Sequence, residues 1–209
     1  MKMNVIVIIA VALTAMMLLS ESAPSQRAQG VEDDRLLEYS RIEVMETVAA
    51  PLADAWRSWS TSAGAMEFFA PHAEIEPHPG GPFEIWFMPA NPPGQRGAEG
   101  LKVLSVLPGE MISFEWNAPP KFEHARPQKT WVVVTFQSID ANHTRVRLVH
   151  LGWDEMKAKN PDHIAEWDQV TAYFEAAWPK VLGWMKQRFE EGPRWSADGQ
   201  PLWKSEQPK

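Results

Sequence analysis

From Ile164 to Phe189 apolar side chains return every three or four residues: Ile164, Trp167, Val170, Phe174, Trp178, Val181, Leu182, Met185 and Phe189. That spacing draws one wide apolar stripe along a helix of about seven turns. A helix this long with one apolar side must lie on an equally apolar surface, and the rest of the chain has to supply it. Asn160 is a suitable N-cap, Pro161 suits the first helical position, and Asp162 favours the positive end of the helix dipole. Pro179 falls inside the stripe. An interior proline costs about 3 kcal/mol and deletes a helical hydrogen bond, so a kink is expected over residues 175–179 without splitting the helix.

The surface is legible upstream. Over residues 39–49, Ile42, Val44, Glu46 and Val48 alternate with Arg41, Glu43, Met45 and Thr47, which is a strand pattern. Pro51 then opens a helix in which Leu52, Ala55, Trp56 and Trp59 keep helical spacing. A second short helix over 62–69, capped by Thr61 or Ser60, stops at Pro71. After it the period is two, with strands expected at 72–76, 83–88, 100–107, 111–116, 130–138 and 144–151. Turns fall at Gly80-Gly81, Pro108-Gly109 and residues 140–143. Ile112, Phe114 and Trp116 share one face and Ser113 and Glu115 the other; Val146, Leu148 and His150 oppose Arg145 and Arg147. Strands joined without helices between them form an antiparallel sheet, so the fold class is α+β. Residues 89–97, with three prolines and two glycines, read as a long loop suited to a lid or rim.

The ends differ from this body. Residues 5–19 are apolar except for Thr14 and follow Lys2, which suits the core of a signal peptide and is short for a span of about 20 residues. Ser20 and Ser22 place cleavage before Ala23. The expected organisation is a signal peptide over 1–22, a flexible linker over 23–38, one domain over 39–191 and a loosely ordered tail over 192–209. Trp195 and Trp203 are the residues that would pin the tail. Localisation is then periplasmic or secreted, or membrane-anchored if the segment is not cleaved. Loss of residues 1–22 removes one Lys and one Glu, leaving the net charge of -7 unchanged, and that sign disfavours nucleic acid as a partner. Zero cysteines exclude disulfides, thiolate metal sites and cysteine nucleophiles.

An ordered set of short motifs carries a resemblance. These are Ala50-Pro51-Leu52 with Trp56 and Trp59, Pro79-Gly80-Gly81-Pro82-Phe83-Glu84, Gly97-Ala98-Glu99-Gly100, Leu107-Pro108, Ser113-Phe114-Glu115-Trp116, and Thr144-Arg145-Val146 leading to His150-Leu151-Gly152-Trp153. In this order they resemble the SRPBCC superfamily, and more narrowly its branch named after the C-terminal domain of the activator of the heat-shock chaperone ATPase. The resemblance implies a START-like, helix-grip fold: a curved antiparallel sheet of about seven strands around the C-terminal helix, with two short helices after the first strand. It also implies an elongated cavity between helix and sheet, used across the superfamily for apolar ligands, without specifying a reaction. Chaperone activation is not expected, because in the eukaryotic proteins that role also needs an N-terminal domain for which this sequence has no counterpart.

The expected function is an exported binding protein that takes a small hydrophobic or aromatic ligand in that cavity, with no cofactor. The composition supports aromatic walls, with 11 Trp and 9 Phe against 2 Tyr. The lining expected from strand phase and helix stripe is Phe68, Trp86, Phe114, Trp116, Leu148, His150, Trp153, Trp167, Phe174 and Trp178. His150 is the candidate general base for an alternative, a cyclase, isomerase or hydrolase working in the same cavity. A third reading is an interaction protein with a filled core. Metal binding is the weaker alternative for His72, Glu74, Glu76 and His78, since His72, Glu74 and Glu76 alternate on one strand face while Pro77 displaces His78. There is no G-x-S-x-G elbow and no phosphate-binding loop.

Overall fold

The structure, a computed structural model, describes residues 40–204. The segments read as signal peptide and linker, 1–22 and 23–38, lie outside the described residues. The chain enters on β1 (Ile42–Val48), continues through α1 (Leu52–Ser60) and α2 (Ser62–Met66), and then builds strands β2 (His72–Ile75), β3 (Phe83–Trp86), β4 (Gly97–Ala98), β5 (Val103–Leu107), β6 (Met111–Trp116), β7 (Thr130–Ser138) and β8 (Thr144–Leu151). A short helix α3 (Trp153–Lys159) and a single 3-10 turn (Pro161–His163) precede the long helix α4 (Ile164–Glu191).

Five strands form one antiparallel sheet in the order β1-β8-β7-β6-β5, and three form another in the order β2-β3-β4. The two sheets are joined by backbone. Gly80 N–H donates to Val103 O at 2.8 Å, Val103 N–H to Gly81 O at 2.9 Å and Phe83 N–H to Leu101 O at 2.9 Å. β4 and β5 are therefore two pieces of one ribbon, broken at Gly100, whose φ of 68° only glycine adopts without strain. Counted by ribbons the sheet has seven members, the number expected for a helix grip. The break and the bulge between Val103 and Ser105 bend it, because a bulge increases local twist.

The long stripe faces the sheet as its spacing requires. Trp167, Val170, Phe174, Trp178, Val181, Leu182 and Met185 are buried, and the helix packs along β1. One helix runs through Pro179. Ile164, read as the first residue of the stripe, is exposed, and no residue of the 3-10 turn before it is buried. Helix α3 was not anticipated. It starts where Gly152, at φ 101°, turns the chain out of β8, and its charges, Asp154 and Glu155 first and Lys157 and Lys159 last, match the helix dipole. The cap expected for the second short helix is present, with Gly64 N–H donating to Thr61 Oγ1 at 3.0 Å.

The segment read as a loosely ordered tail is folded back onto the body as far as Lys204. Arg194 N–H donates to Glu67 O at 2.8 Å, Leu202 N–H to Arg194 O at 2.8 Å, and Trp203 is buried with its Nε1–H on Gly192 O. The Arg194 guanidinium lies 3.7 Å from the centre of the Trp184 ring, so a cation stacked on an indole holds this strap against α4. Low hydrophobicity hid the contact, since one Arg and two Trp suffice to make it.

Candidate functional site

A groove of about 530 Å³ opens between α4 and the rim of the sheet, within the usual range for small-molecule pockets. Its inner wall is aromatic. Trp116 at the end of β6 and Phe174 and Trp178 on α4 are buried there, while Phe87, Tyr173 and Trp184 reach toward the mouth. Trp116 and Trp178 meet with ring centres 5.2 Å apart, and Phe174 stacks on Trp178 at 5.8 Å. Ala176 and Ala177 leave the trough open because neither side chain reaches across it. The Trp116 indole N–H is buried without a hydrogen-bond partner among the described residues.

Two loops make the outer wall: Gly97 and Ala98 end the proline-rich loop, and Asn117, Pro119, Pro120 and Arg126 belong to the connection between β6 and β7. Arg126 ties them together. Its Nη1 donates to Asn117 Oδ1 at 3.0 Å and Ala118 O at 2.7 Å, and its Nη2 donates to Gly94 O at 3.0 Å and Gly97 O at 2.6 Å. The only carboxylate beside it among the described residues is Glu99, at 3.8 Å, and that group also receives Arg96 Nε at 2.7 Å and the backbone N–H groups of Gly94 and Arg96. Burial depresses the Arg126 pKa, opposed by the Glu99 charge.

His150 sits behind this wall. It is fully buried, its Nδ1 lies 2.9 Å from Trp178 Nε1, and its Nε2 lies 2.7 Å from Thr130 Oγ1. An indole N–H can only donate, so Nδ1 is the acceptor and the neutral ring carries its proton on Nε2. Thr130 Oγ1 accepts the hydrogen bond from Nε2–H and donates its own to Trp116 O at 3.1 Å. Every polar atom of the imidazole is thus engaged, and burial drives its pKa well below the ordinary histidine value.

Of the residues expected to line a cavity, the structure brings Trp116, Phe174 and Trp178 to the groove. Phe114 stacks on Phe83 at 3.6 Å in the core, Phe68 packs against Trp59, and Leu148, Trp153 and Trp167 are buried away from the groove. Trp153 donates from Nε1 to His150 O at 3.0 Å. Trp86 lies on the other face of β3, between the His72 ring at 4.1 Å and the Arg96 guanidinium at 3.6 Å. That stack also occupies His72, while His78 pairs with Glu76 at 3.1 Å in solvent and Glu74 faces outward. The described residues hold no cluster of three or more metal-ligating side chains.

Sequence reading missed Phe69, Phe87, Arg126, Tyr173, Lys180 and Trp184, all on the groove. One signal was present. Tyr173, Ala177, Lys180 and Trp184 follow each other at helical spacing, a second stripe beside the buried one.

A curved antiparallel sheet gripping a C-terminal helix, with an aromatic groove at their junction, defines a START-like protein of the SRPBCC class. The chain belongs to the family described as Activator of Hsp90 ATPase homolog 1-like protein, whose model matches residues 49–190. Among solved structures it is similar to MLL2253 from Mesorhizobium loti, with 16% identity, a TM-score of 0.53, and 72% of this chain and 97% of that one covered. It is also similar to SSP2350 from Staphylococcus saprophyticus, with 15% identity, a TM-score of 0.52, and coverage of 74% and 94%. DynU16, a protein in the dynemicin biosynthetic locus, aligns with 16% identity and a TM-score of 0.50 over 73% of this chain and 48% of its own. At these identities the likeness is one of fold. No curated protein matches the chain.

Proposed function

We propose that this protein is exported and binds a small hydrophobic or aromatic molecule in the groove beside α4. The aromatic trough carries the reading: about 530 Å³ walled by Trp116, Phe174, Trp178 and Trp184 and floored by two alanines. Aromatic rings bind planar apolar molecules through large contact areas at little cost in side-chain entropy. A reaction run by His150 is not favoured, since the imidazole lies outside the groove, has no free lone pair, and has no carboxylate among its hydrogen-bond partners.

Three tryptophans on the wall make the test direct. Titration of the full chain with two- and three-ring aromatic compounds should quench its fluorescence saturably, and Ala177→Phe, which fills the trough, should abolish the effect. Absence of saturable quenching, or quenching unchanged in Ala177→Phe, overturns the binding reading. Export is tested by the intact mass of the chain recovered from its host, expected to begin at Ala23; a chain that keeps residues 1–22 in the cytoplasmic fraction overturns it.

A further inference from the structure

The charges on the groove run against those of the chain. The sequence carries a net charge of -7, yet the charged residues lining the groove are Arg126 and Lys180, both cations, with no Asp or Glu among the described lining. Lys180 is exposed on α4 and has no ion pair among the described residues. Arg126 is held on the opposite wall by four backbone and side-chain oxygens, and its fifth donor, Nε–H, has no acceptor among the described residues. Its nearest carboxylate, Glu99, is shared with Arg96 and committed to it at shorter range. Arg126 and Arg96 thus share the one carboxylate of Glu99, and Lys180 is paired with none among the described residues.

A half-buried guanidinium whose position is fixed and whose charge is only partly answered is arranged for an anion, because no reorganisation is needed when the anion arrives. The neighbouring surface is apolar: Trp116, Phe174, Trp178 and Trp184 lie within the same trough. We propose that the groove takes an amphipathic organic anion, with an aromatic or other apolar body against these rings and a carboxylate or sulfonate group at Arg126 and Lys180. This rests on the groove being a binding site and names the class of molecule it holds.

A pair of probes separates the two claims. Anilinonaphthalene sulfonate and its uncharged parent, phenylnaphthylamine, share one aromatic body and both brighten in apolar surroundings, so each is titrated into the full chain and into Arg126→Gln and Lys180→Glu. Losing a charge-assisted contact in a half-buried site should weaken the sulfonate about tenfold in Arg126→Gln and about three- to tenfold in Lys180→Glu, and in each variant by more than it weakens the neutral probe. Because Arg126 also joins two loops, Arg126→Gln is read only where its melting curve stays cooperative; Lys180, exposed on the helix, carries the test on its own. If both probes bind but the variants weaken neither, or both alike, the anion proposal falls and the binding reading stands. If neither probe binds the unaltered chain, the binding reading falls and this proposal falls with it.

Discussion

Replacing Thr130 by valine keeps the shape of the side chain and removes one buried hydroxyl. In the folded protein that hydroxyl accepts from His150 Nε2 at 2.7 Å and donates to Trp116 O at 3.1 Å. Each buried polar group left without a partner costs about 1–3 kcal/mol; the imidazole N–H carries most of the loss, because a carbonyl has a second lone pair. The imidazole has no escape through tautomerism. Moving its proton to Nδ1 would set two N–H groups against each other across the 2.9 Å contact with Trp178. Thr130→Val should therefore lose about 2–4 kcal/mol, a large share of a total that is normally about 5–15 kcal/mol. For a domain of this size that is a fall of about 5–15 °C in Tm. Urea denaturation followed by tryptophan fluorescence measures the loss. Adding His150→Phe removes the orphaned donor, so the double variant should be more stable than the sum of the single effects by about 1–2 kcal/mol. Nitrogen NMR of the imidazole should show the neutral ring protonated on Nε2. A loss under about 0.5 kcal/mol in Thr130→Val, or an imidazole that titrates at its ordinary value, would refute the network as drawn.

His150 also sets an acid limit. Its pKa is lowered by burial, so below about 6.5 the unfolded chain takes up a proton that the folded chain refuses, and stability falls by up to about 1.4 kcal/mol per pH unit. In His150→Phe the urea midpoint should be flatter between pH 6.5 and 5, and an unchanged slope would count against the burial argument. Glu67 acts at lower pH. Burial raises its pKa, but hydrogen bonds from Arg57 and Arg188 outweigh that and hold the carboxyl below its usual range. Its contribution is complete above about pH 4.3 and is lost as the pH falls through the depressed value; Glu67→Gln should cost about 1–3 kcal/mol at pH 7 and progressively less as the pH falls below about 4.3. Gly64 fails by a different route: a Cβ there would lie 2.1 Å from Arg57 O, so Gly64→Ala must push α2 away from α1 and should lose about 2–4 kcal/mol by thermal melting. An unchanged Tm would show that the two helices are not as close as described.

Periodicity made the frame legible. The stripe on α4 from Trp167 to Met185, the inward phase of β6 and β8, and the Thr61 cap all depend on local spacing and are present, although Ser113 and Val149 are buried on the opposite face. The groove was harder, because alternation says which side chains turn inward but not whether they meet another residue or empty space. Phe114 and Trp116 share a strand face, yet one is stacked on Phe83 and the other borders the groove. Arg126 was invisible for a related reason. Its role comes from four oxygens on two separate loops, and no spacing within a single segment encodes such a meeting. The docking of residues 192–204 likewise hangs on Arg194 finding Trp184, a contact between chemically ordinary residues.

Pro179 has a consequence for the wall of the groove. It has no N–H to offer the carbonyl of Glu175 four residues back, so the helix lacks one rung of its ladder. That gap lies between Glu175 and Pro179, on the exposed side of the turn that carries Trp178. Amide protons on this turn should exchange with solvent sooner than those of the turns around Val170 and Leu182, since the opening there has one fewer bond to break. The gripping helix is thus softer on the turn beside the groove than on the turns that carry Val170 and Leu182, so the wall of the groove can yield while the buried stripe keeps its grip on the sheet.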